Sequence, residues 1–189
     1  VFLEPVSMGN FGAIIAAWGL ALPRVRTWAF VLTMIIAAAG IIMPDARFGS
    51  MVVMFFVAAR FLPLRYAPVV IAGAPFVVAT FLLFWGAFSG VGMGDDLPTR
   101  LAISGRAMLN MDLAQLFGMS TAPLVTLDSG YYYSLRTFGL HGCLILWLAF
   151  NLLRPRQPQA LRFQLFVAIY LALLLAISGG SMFAVKTSA

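Results

Sequence analysis

Six apolar runs make up most of this chain, and they restrict it to folds that are stable in an apolar environment. Of the 189 residues, 62% are hydrophobic and 10% are charged, whereas a soluble domain is about half apolar and about a quarter charged. A core of this size cannot bury that excess, so most of it requires the bilayer as its solvent. The composition therefore predicts an all-α, polytopic membrane protein.

A membrane-spanning helix needs about 20 apolar residues, with a range of about 17–25. We predict about six transmembrane helices, at residues 8–22, 27–43, 50–62, 67–88, 130–153 and 161–178. Pro75 predicts a kink in the fourth. Residues 1–189 are expected to form a single transmembrane domain. Because the chain begins at Val1 in mid-pattern, without the features of a signal peptide, we expect it to be the C-terminal fragment of a larger polytopic protein.

When these spans alternate across the membrane, the charged residues separate by sign. One side has seven arginines and no carboxylate: Arg24, Arg26, Arg60, Arg65, Arg154, Arg156 and Arg162. The other side has every carboxylate, with four arginines and a lysine: Glu4, Asp45, Asp95, Asp96, Asp112, Asp128, Arg47, Arg100, Arg106, Arg136 and Lys186. The positive-inside rule makes the first side cytoplasmic. The second side is then extracytoplasmic, which is the periplasm in a bacterium with two membranes.

The net charge of +6 follows from this asymmetry, and no basic run is long enough to indicate a nucleic-acid partner. His141 and Cys143 are the only histidine and the only cysteine. A metal site built from several His or Cys ligands is therefore excluded. The carboxylates also lack the spacing of a site for a hard cation.

The extracytoplasmic segment at about residues 89–129 is far longer than an ordinary connection, and loops of this length are usually functional or disordered. Leu109, Leu113 and Leu116 recur at helical spacing, which predicts a short interfacial helix with Asp112 off its apolar face. A surface helix without any chemistry is an equally good interpretation of this pattern.

Three extracytoplasmic arginines are candidate anion ligands. Arg47 lies in a tight turn, and Arg106 follows Gly105, where the backbone can bend closely around a ligand. Arg136 lies within the fifth span, where an arginine usually faces a cavity or a partner. Guanidinium groups that converge at a membrane surface suit a phosphate or diphosphate, through bidentate charge-assisted hydrogen bonds. The alternative is that they pair with carboxylates and tie the loops together.

Glu4 and Asp128 are the candidate acids, although each also fits a boundary role. Glu4 precedes Pro5 before the first span, and Asp128 is placed to cap the fifth helix through its side chain. Tyr131 and Tyr132 fit either an interfacial aromatic belt or stacking against a sugar ring. His141 fits a proton carrier or a buried packing residue.

The order of five short motifs carries a family resemblance. They are Glu4-Pro5-x-Ser7-x-Gly9-Asn10-Phe11, Asp45-Ala46-Arg47-Phe48-Gly49, Gly105-Arg106, Asp128-Ser129-Gly130-Tyr131 and Phe138-Gly139-Leu140-x-Gly142. This order resembles the C-terminal part of bacterial O-antigen polymerase/ligase-like proteins, and most of all their exopolysaccharide-polymerase branch. His141 stands where that family often has an aliphatic residue, so the resemblance implies no role for it.

The resemblance implies a membrane glycosyltransferase of the bacterial inner membrane. It would join undecaprenyl-diphosphate-linked oligosaccharide repeat units into surface or exopolysaccharide at the periplasmic face, without a cofactor or a metal. Other polysaccharide export or assembly proteins are expected as partners. The residues expected to take part are Arg47, Arg106 and Arg136 for the diphosphate, Glu4 and Asp128 for catalysis, and Tyr131 and Tyr132 for the glycan.

Three other functions also fit the sequence. An O-antigen ligase handles the same donor chemistry as a polymerase. A transporter or lipid flippase is disfavoured because no carboxylate lies in the middle of a span, while Gly73 and Pro75 in the fourth span weakly favour it. A structural subunit without chemistry predicts that the long segment tolerates substitution.

Overall fold

The computed structural model describes residues 5–22, 27–42, 47–90, 97–119, 129–153 and 155–177, and within them it is helical, with no β-strand. This confirms the all-α prediction. A 3₁₀ turn at Leu64–Tyr66 precedes α4. The α-helices are α1 (Pro5–Ala21), α2 (Thr27–Ile42), α3 (Arg47–Arg60), α4 (Ala67–Phe88), α5 (Leu97–Leu109), α6 (Leu113–Leu116), α7 (Gly130–Leu152) and α8 (Pro158–Ile177).

Among the residues that the structure describes, three helical stretches are long and apolar enough to cross a membrane: Leu64–Phe88, Gly130–Leu152 and Pro158–Ile177. The helices α1, α2 and α3 are apolar but shorter, with 17, 16 and 14 residues. At 1.5 Å per residue, 16 residues extend over about 24 Å, which is less than the roughly 30 Å of a hydrocarbon core. The count of six spans therefore stays a prediction.

Two prolines illustrate how the sequence affects the helices. Pro158 occupies the first position of α8, where its fixed φ suits a helix and its missing N–H is not needed. The α4 helix continues through Pro75 as one element, although that residue leaves one backbone carbonyl without its usual donor.

The first of two compact units comprises Val1–Ile71 and Arg154–Tyr170. In it α1 packs against α2 and α3. A Cβ added at Gly12 would lie 2.9 Å from the Ala37 carbonyl oxygen, so small residues allow the α1 and α2 backbones to approach closely. The rings of Phe56 and Phe166 pack with their centroids 5.1 Å apart, and these rings join α3 to α8.

The second compact unit comprises Ala72–Leu153 and Leu171–Ala189. Its core contains Leu82, Tyr131 and Ala176. Gly86 and Gly105 bring α4 and α5 into backbone contact, because a Cβ added at Gly105 would lie 1.9 Å from the Leu82 carbonyl oxygen. A side chain larger than hydrogen does not fit at this crossing.

The single interfacial helix predicted from Leu109, Leu113 and Leu116 is wrong in its continuity. The α5 helix ends at Leu109, and α6 begins at Leu113. Between them, Asp112 accepts a hydrogen bond from the Gln115 backbone N–H at 2.6 Å and is the N-cap of α6. An aspartate in that position favours the start of a new helix, so α5 does not continue into α6. Leu109 and Leu113 are exposed, as an interfacial surface requires.

The fifth predicted span is a broken helix. Gly139, inside α7, has φ 67° and ψ 167°, which are not helical angles. On either side of it, the Tyr131 hydroxyl donates to the Pro75 carbonyl and the Trp147 indole N–H donates to the Ala72 carbonyl, each at 3.1 Å. In straight helices the Cα atoms of Ala72 and Pro75 would be separated by about 4.5 Å along the axis, and those of Tyr131 and Trp147 by about 24 Å. The halves of α7 are therefore not collinear.

Candidate functional site

The candidate site is built on the first half of α7, which begins in a buried setting. Ser129 is 0% exposed, and its hydroxyl accepts a hydrogen bond from the Tyr132 backbone N–H at 3.4 Å. Ser129 is therefore the N-cap of α7. The sequence interpretation gave this role to Asp128, which lies outside the described residues.

Arg136 is the charged centre of this half-helix, and it is only 6% exposed. Its Nη1 donates a hydrogen bond to the Tyr132 hydroxyl at 2.9 Å, and its guanidinium carbon lies 5.9 Å from the Tyr132 ring centroid. The two residues are four positions apart and so lie on one helix face. Arg136 is therefore buried within the second unit, and the cavity or partner that it was predicted to face stays a prediction. A cation removed from water interacts strongly with any anion that reaches it.

Arg106 has a different environment. Its Nε donates to the Gly86 carbonyl at 3.2 Å, and its Nη2 donates to the Ser89 carbonyl at 2.7 Å. These carbonyls belong to the C-terminal end of α4 and the residue that follows, where helical acceptors lack intrahelical partners and a positive charge is favourable. The geometry is that of a tether between α5 and α4, formed with backbone carbonyls. A diphosphate role for Arg106 stays a prediction.

The other charged residues of the predicted site are Arg47, Glu4 and Asp128. Arg47 is the first residue of α3, in the first unit, and its side chain lies outside what the structure describes. Glu4 also lies outside the described residues, as does Asp128. Their predicted roles in diphosphate binding and catalysis therefore stay predictions.

The two tyrosines predicted to bind glycan are both buried, at 8% exposure each. The Tyr131 hydroxyl lies 3.1 Å from the Pro75 carbonyl oxygen and 3.2 Å from that of Ala172. It has one proton to donate, and the contacts link α7 to α4 and to the end of α8. Tyr132 directs its hydroxyl to Arg136. The observed contacts are those of helix packing for Tyr131 and of arginine placement for Tyr132.

Sequence reasoning missed a glycine contact next to this site. Gly118 and Gly139 have positive φ angles of 71° and 67°. A Cβ at Gly118 would lie 2.9 Å from the Gly139 nitrogen, and one at Gly139 would lie 2.6 Å from the Phe117 carbonyl oxygen. The turn after α6 therefore packs directly on the break in α7. The glycines themselves were the only sequence signal for this contact, since glycine alone adopts positive φ without strain.

Ser134 lies on the same half of α7 and was not among the predicted site residues. It is 9% exposed, and its hydroxyl has no hydrogen-bond partner among the described residues. Buried hydroxyls are normally paired with protein or water. Within the described part of the chain, no three His, Cys, Asp or Glu residues group as a metal site would require.

In comparisons with known proteins, no family model matches the chain, and no significant match was found among curated proteins or solved structures.

Proposed function

We propose that this chain is part of a membrane glycosyltransferase that polymerises undecaprenyl-diphosphate-linked oligosaccharide repeat units, with Arg136 binding the diphosphate. The observation that carries the proposal is the buried Arg136 guanidinium, hydrogen-bonded to Tyr132 one turn earlier on a broken apolar helix. Arginine within a membrane span is costly, and such residues usually serve a substrate, an ion or a partner.

The chemistry of a guanidinium suits this ligand. It has five N–H donors in a planar fork, a shape that matches the oxygens of a diphosphate in a bidentate contact. When the sugar leaves its carrier, negative charge grows on the diphosphate. A cation already fixed in a poorly hydrated site stabilises that charge without reorganisation, and removing one such donor typically lowers the rate by about 10²–10³.

The proposed reaction is a displacement at the anomeric carbon of the donor glycan. An acceptor hydroxyl of another lipid-linked repeat unit forms the new C–O bond, and the bond between that carbon and the diphosphate breaks. The lipid diphosphate leaves with the bonding electrons, and Arg136 holds its charge. The hydroxyl proton passes to a carboxylate, for which Glu4 and Asp128 are the candidates. Neither a cofactor nor a metal takes part in this scheme.

The proposed topology is six transmembrane helices in the bacterial inner membrane, with the α5–α6 segment on the periplasmic side. The partition of arginines and carboxylates supports this orientation. Because the donor is anchored by its lipid, its diphosphate lies at the membrane surface, which is where the first half of α7 begins in this topology. Other polysaccharide assembly proteins are proposed as partners. An O-antigen ligase remains the closest alternative, since it uses the same donor.

A second candidate is a transporter of lipid-linked glycans, and one observation favours it. Discontinuous helices such as α7, broken at Gly139, are typical of transporter binding sites. The two functions differ in their need for compartments. A polymerase elongates lipid-linked repeat units in detergent solution, whereas a transporter changes nothing there because no membrane separates donor from product.

The test uses the intact protein that carries this chain, purified in detergent and supplied with lipid-linked repeat units. We expect chain elongation by the wild-type protein and its loss in Arg136→Ala, at equal thermal stability and equal level in membranes. Expression of both forms in a host that lacks the gene gives the matching readout of polymer length. Polymer of wild-type length from Arg136→Ala would overturn the role of Arg136. Failure of the wild-type protein to elongate in detergent would favour transport.

A further inference from the structure

The first unit contains a cavity of about 400 Å³ that the proposed glycan transfer does not use. It lies between the turn that precedes α4 and the residues that lead into α8, and it is lined by Leu64, Pro155, Arg156, Gln157, Pro158 and Leu161. Its volume is within the range of about 300–1,000 Å³ that small-molecule sites occupy. Each of its walls adjoins a helical stretch that is long and apolar enough to cross a membrane.

The lining combines one cation with apolar walls. Arg156 is its only charged residue, and Leu64 and Leu161 are half-buried. The guanidinium of Arg65 lies 4.6 Å from the Tyr66 ring centroid, outside the lining. A guanidinium beside leucine side chains complements a ligand that is anionic at one end and apolar at the other.

The two segments that line the cavity contain charged residues of one sign. The segments 61–67 and 153–163 contain Arg65, Arg154, Arg156 and Arg162, and they contain no carboxylate. Both segments fall on the predicted cytoplasmic side, where a leaflet rich in anionic lipid attracts basic juxtamembrane residues. Basic pockets between membrane helices on this side bind lipid headgroups. A free phosphate has no apolar part that would contact the leucine side chains.

We propose that this cavity binds the headgroup of an anionic membrane phospholipid, such as phosphatidylglycerol. Arg156 binds the phosphate, and Leu64 and Leu161 contact the glycerol and the first acyl carbons. The site is separate from glycan transfer and does not depend on it.

The experiment is native mass spectrometry of the intact protein with phosphatidylglycerol or phosphatidylcholine of identical acyl chains. We expect the wild-type protein to retain phosphatidylglycerol in preference, and Arg156→Gln to reduce that retention about fivefold, the size of one arginine's attraction to an anionic lipid surface. Leu161→Trp fills the cavity without changing the charge and is expected to lose the preference as well. Arg65→Gln removes the same charge from a neighbouring position outside the lining and is expected to keep it.

Three results would overturn the proposal. Equal retention of the two lipids by the wild-type protein would show no headgroup selection. An equal loss in Arg65→Gln and Arg156→Gln would show a general surface attraction instead of a built cavity. Displacement of phosphatidylglycerol by an equal concentration of inorganic phosphate would show that the cavity takes a free anion. Thermal unfolding of each variant, matched to the wild type, separates these results from misfolding.

Discussion

Arg106 and Arg136 have the same predicted role, yet the structure places them in two unlike regions of the second unit. Arg106 donates to the carbonyls of Gly86 and Ser89 at the end of α4. Arg60 in the first unit makes the equivalent contact with the Leu20 carbonyl near the end of α1. Arg136 is instead buried and bonded to a side-chain hydroxyl. Burial and the identity of the partner, which residue type does not reveal, separate a helix tether from a candidate anion ligand.

Removing each guanidinium and measuring elongation per folded molecule distinguishes the two arginines most clearly. We expect Arg136→Ala to lower the rate by about 10²–10³, because a preorganised donor to the leaving group is lost. We expect Arg106→Ala to leave the rate per folded molecule unchanged. Equal losses in both variants would place Arg106 in the reaction and contradict its assignment as a tether.

The stability of the fold is expected to be more sensitive to substitution at the α4–α5 crossing near Arg106 than in the region of Arg136. Gly105→Ala brings a Cβ to 1.9 Å from the Leu82 carbonyl oxygen, and overpacking of this kind costs about 1–3 kcal/mol in the free energy of unfolding. Gly73→Ala, also in the second unit and with nothing within 4 Å of its added Cβ, is the control. Thermal unfolding in detergent measures both. Wild-type stability in Gly105→Ala would contradict the backbone contact between α4 and α5.

Removal of the Arg106 tether is expected to act on stability alone. Arg106→Met keeps an apolar stem and loses the hydrogen bonds to the Gly86 and Ser89 carbonyls. Hydrogen bonds to a charged group contribute about 1.5–3 kcal/mol, so we expect a lower midpoint of thermal unfolding. Arg106→Lys restores the charge at the end of α4 and should recover part of the loss. No change in either variant would show that the tether does not hold α5 in place.

The smallest predicted effect distinguishes the two buried tyrosines. Tyr132→Phe removes the acceptor of the Arg136 hydrogen bond, and a net loss of about 1 kcal/mol corresponds to about a fivefold lower elongation rate. Tyr131→Phe removes a hydroxyl that lies within hydrogen-bond distance of the Pro75 and Ala172 backbone carbonyls, and it should lower stability without changing the rate. A rate loss in Tyr131→Phe equal to that in Tyr132→Phe would contradict a specific placement of Arg136.

Much of the helix layout was readable from local sequence. The predicted run 67–88 coincides with α4, and the predicted run 130–153 exceeds α7 by one residue. Proline, glycine and serine at the ends of apolar runs act within one or two turns, so their effect needs no tertiary information. The helical spacing of the leucines predicted one continuous helix here, and the N-cap at Asp112 was not recognised.

Tertiary packing decided which residues of the candidate site are buried and which contacts join different helices. Gly139 reads as an ordinary helical glycine, and its break became visible only with Phe117 and Gly118 packed against it. Arg106 and Arg136 have similar chemistry until their acceptors are known, and those acceptors lie on another helix in one case and on the same helix in the other. Hydropathy and punctuation set which residues become helical, because these signals are local. Burial and the hydrogen bonds between different helices arise only when helices pack, because they depend on what the chain brings together.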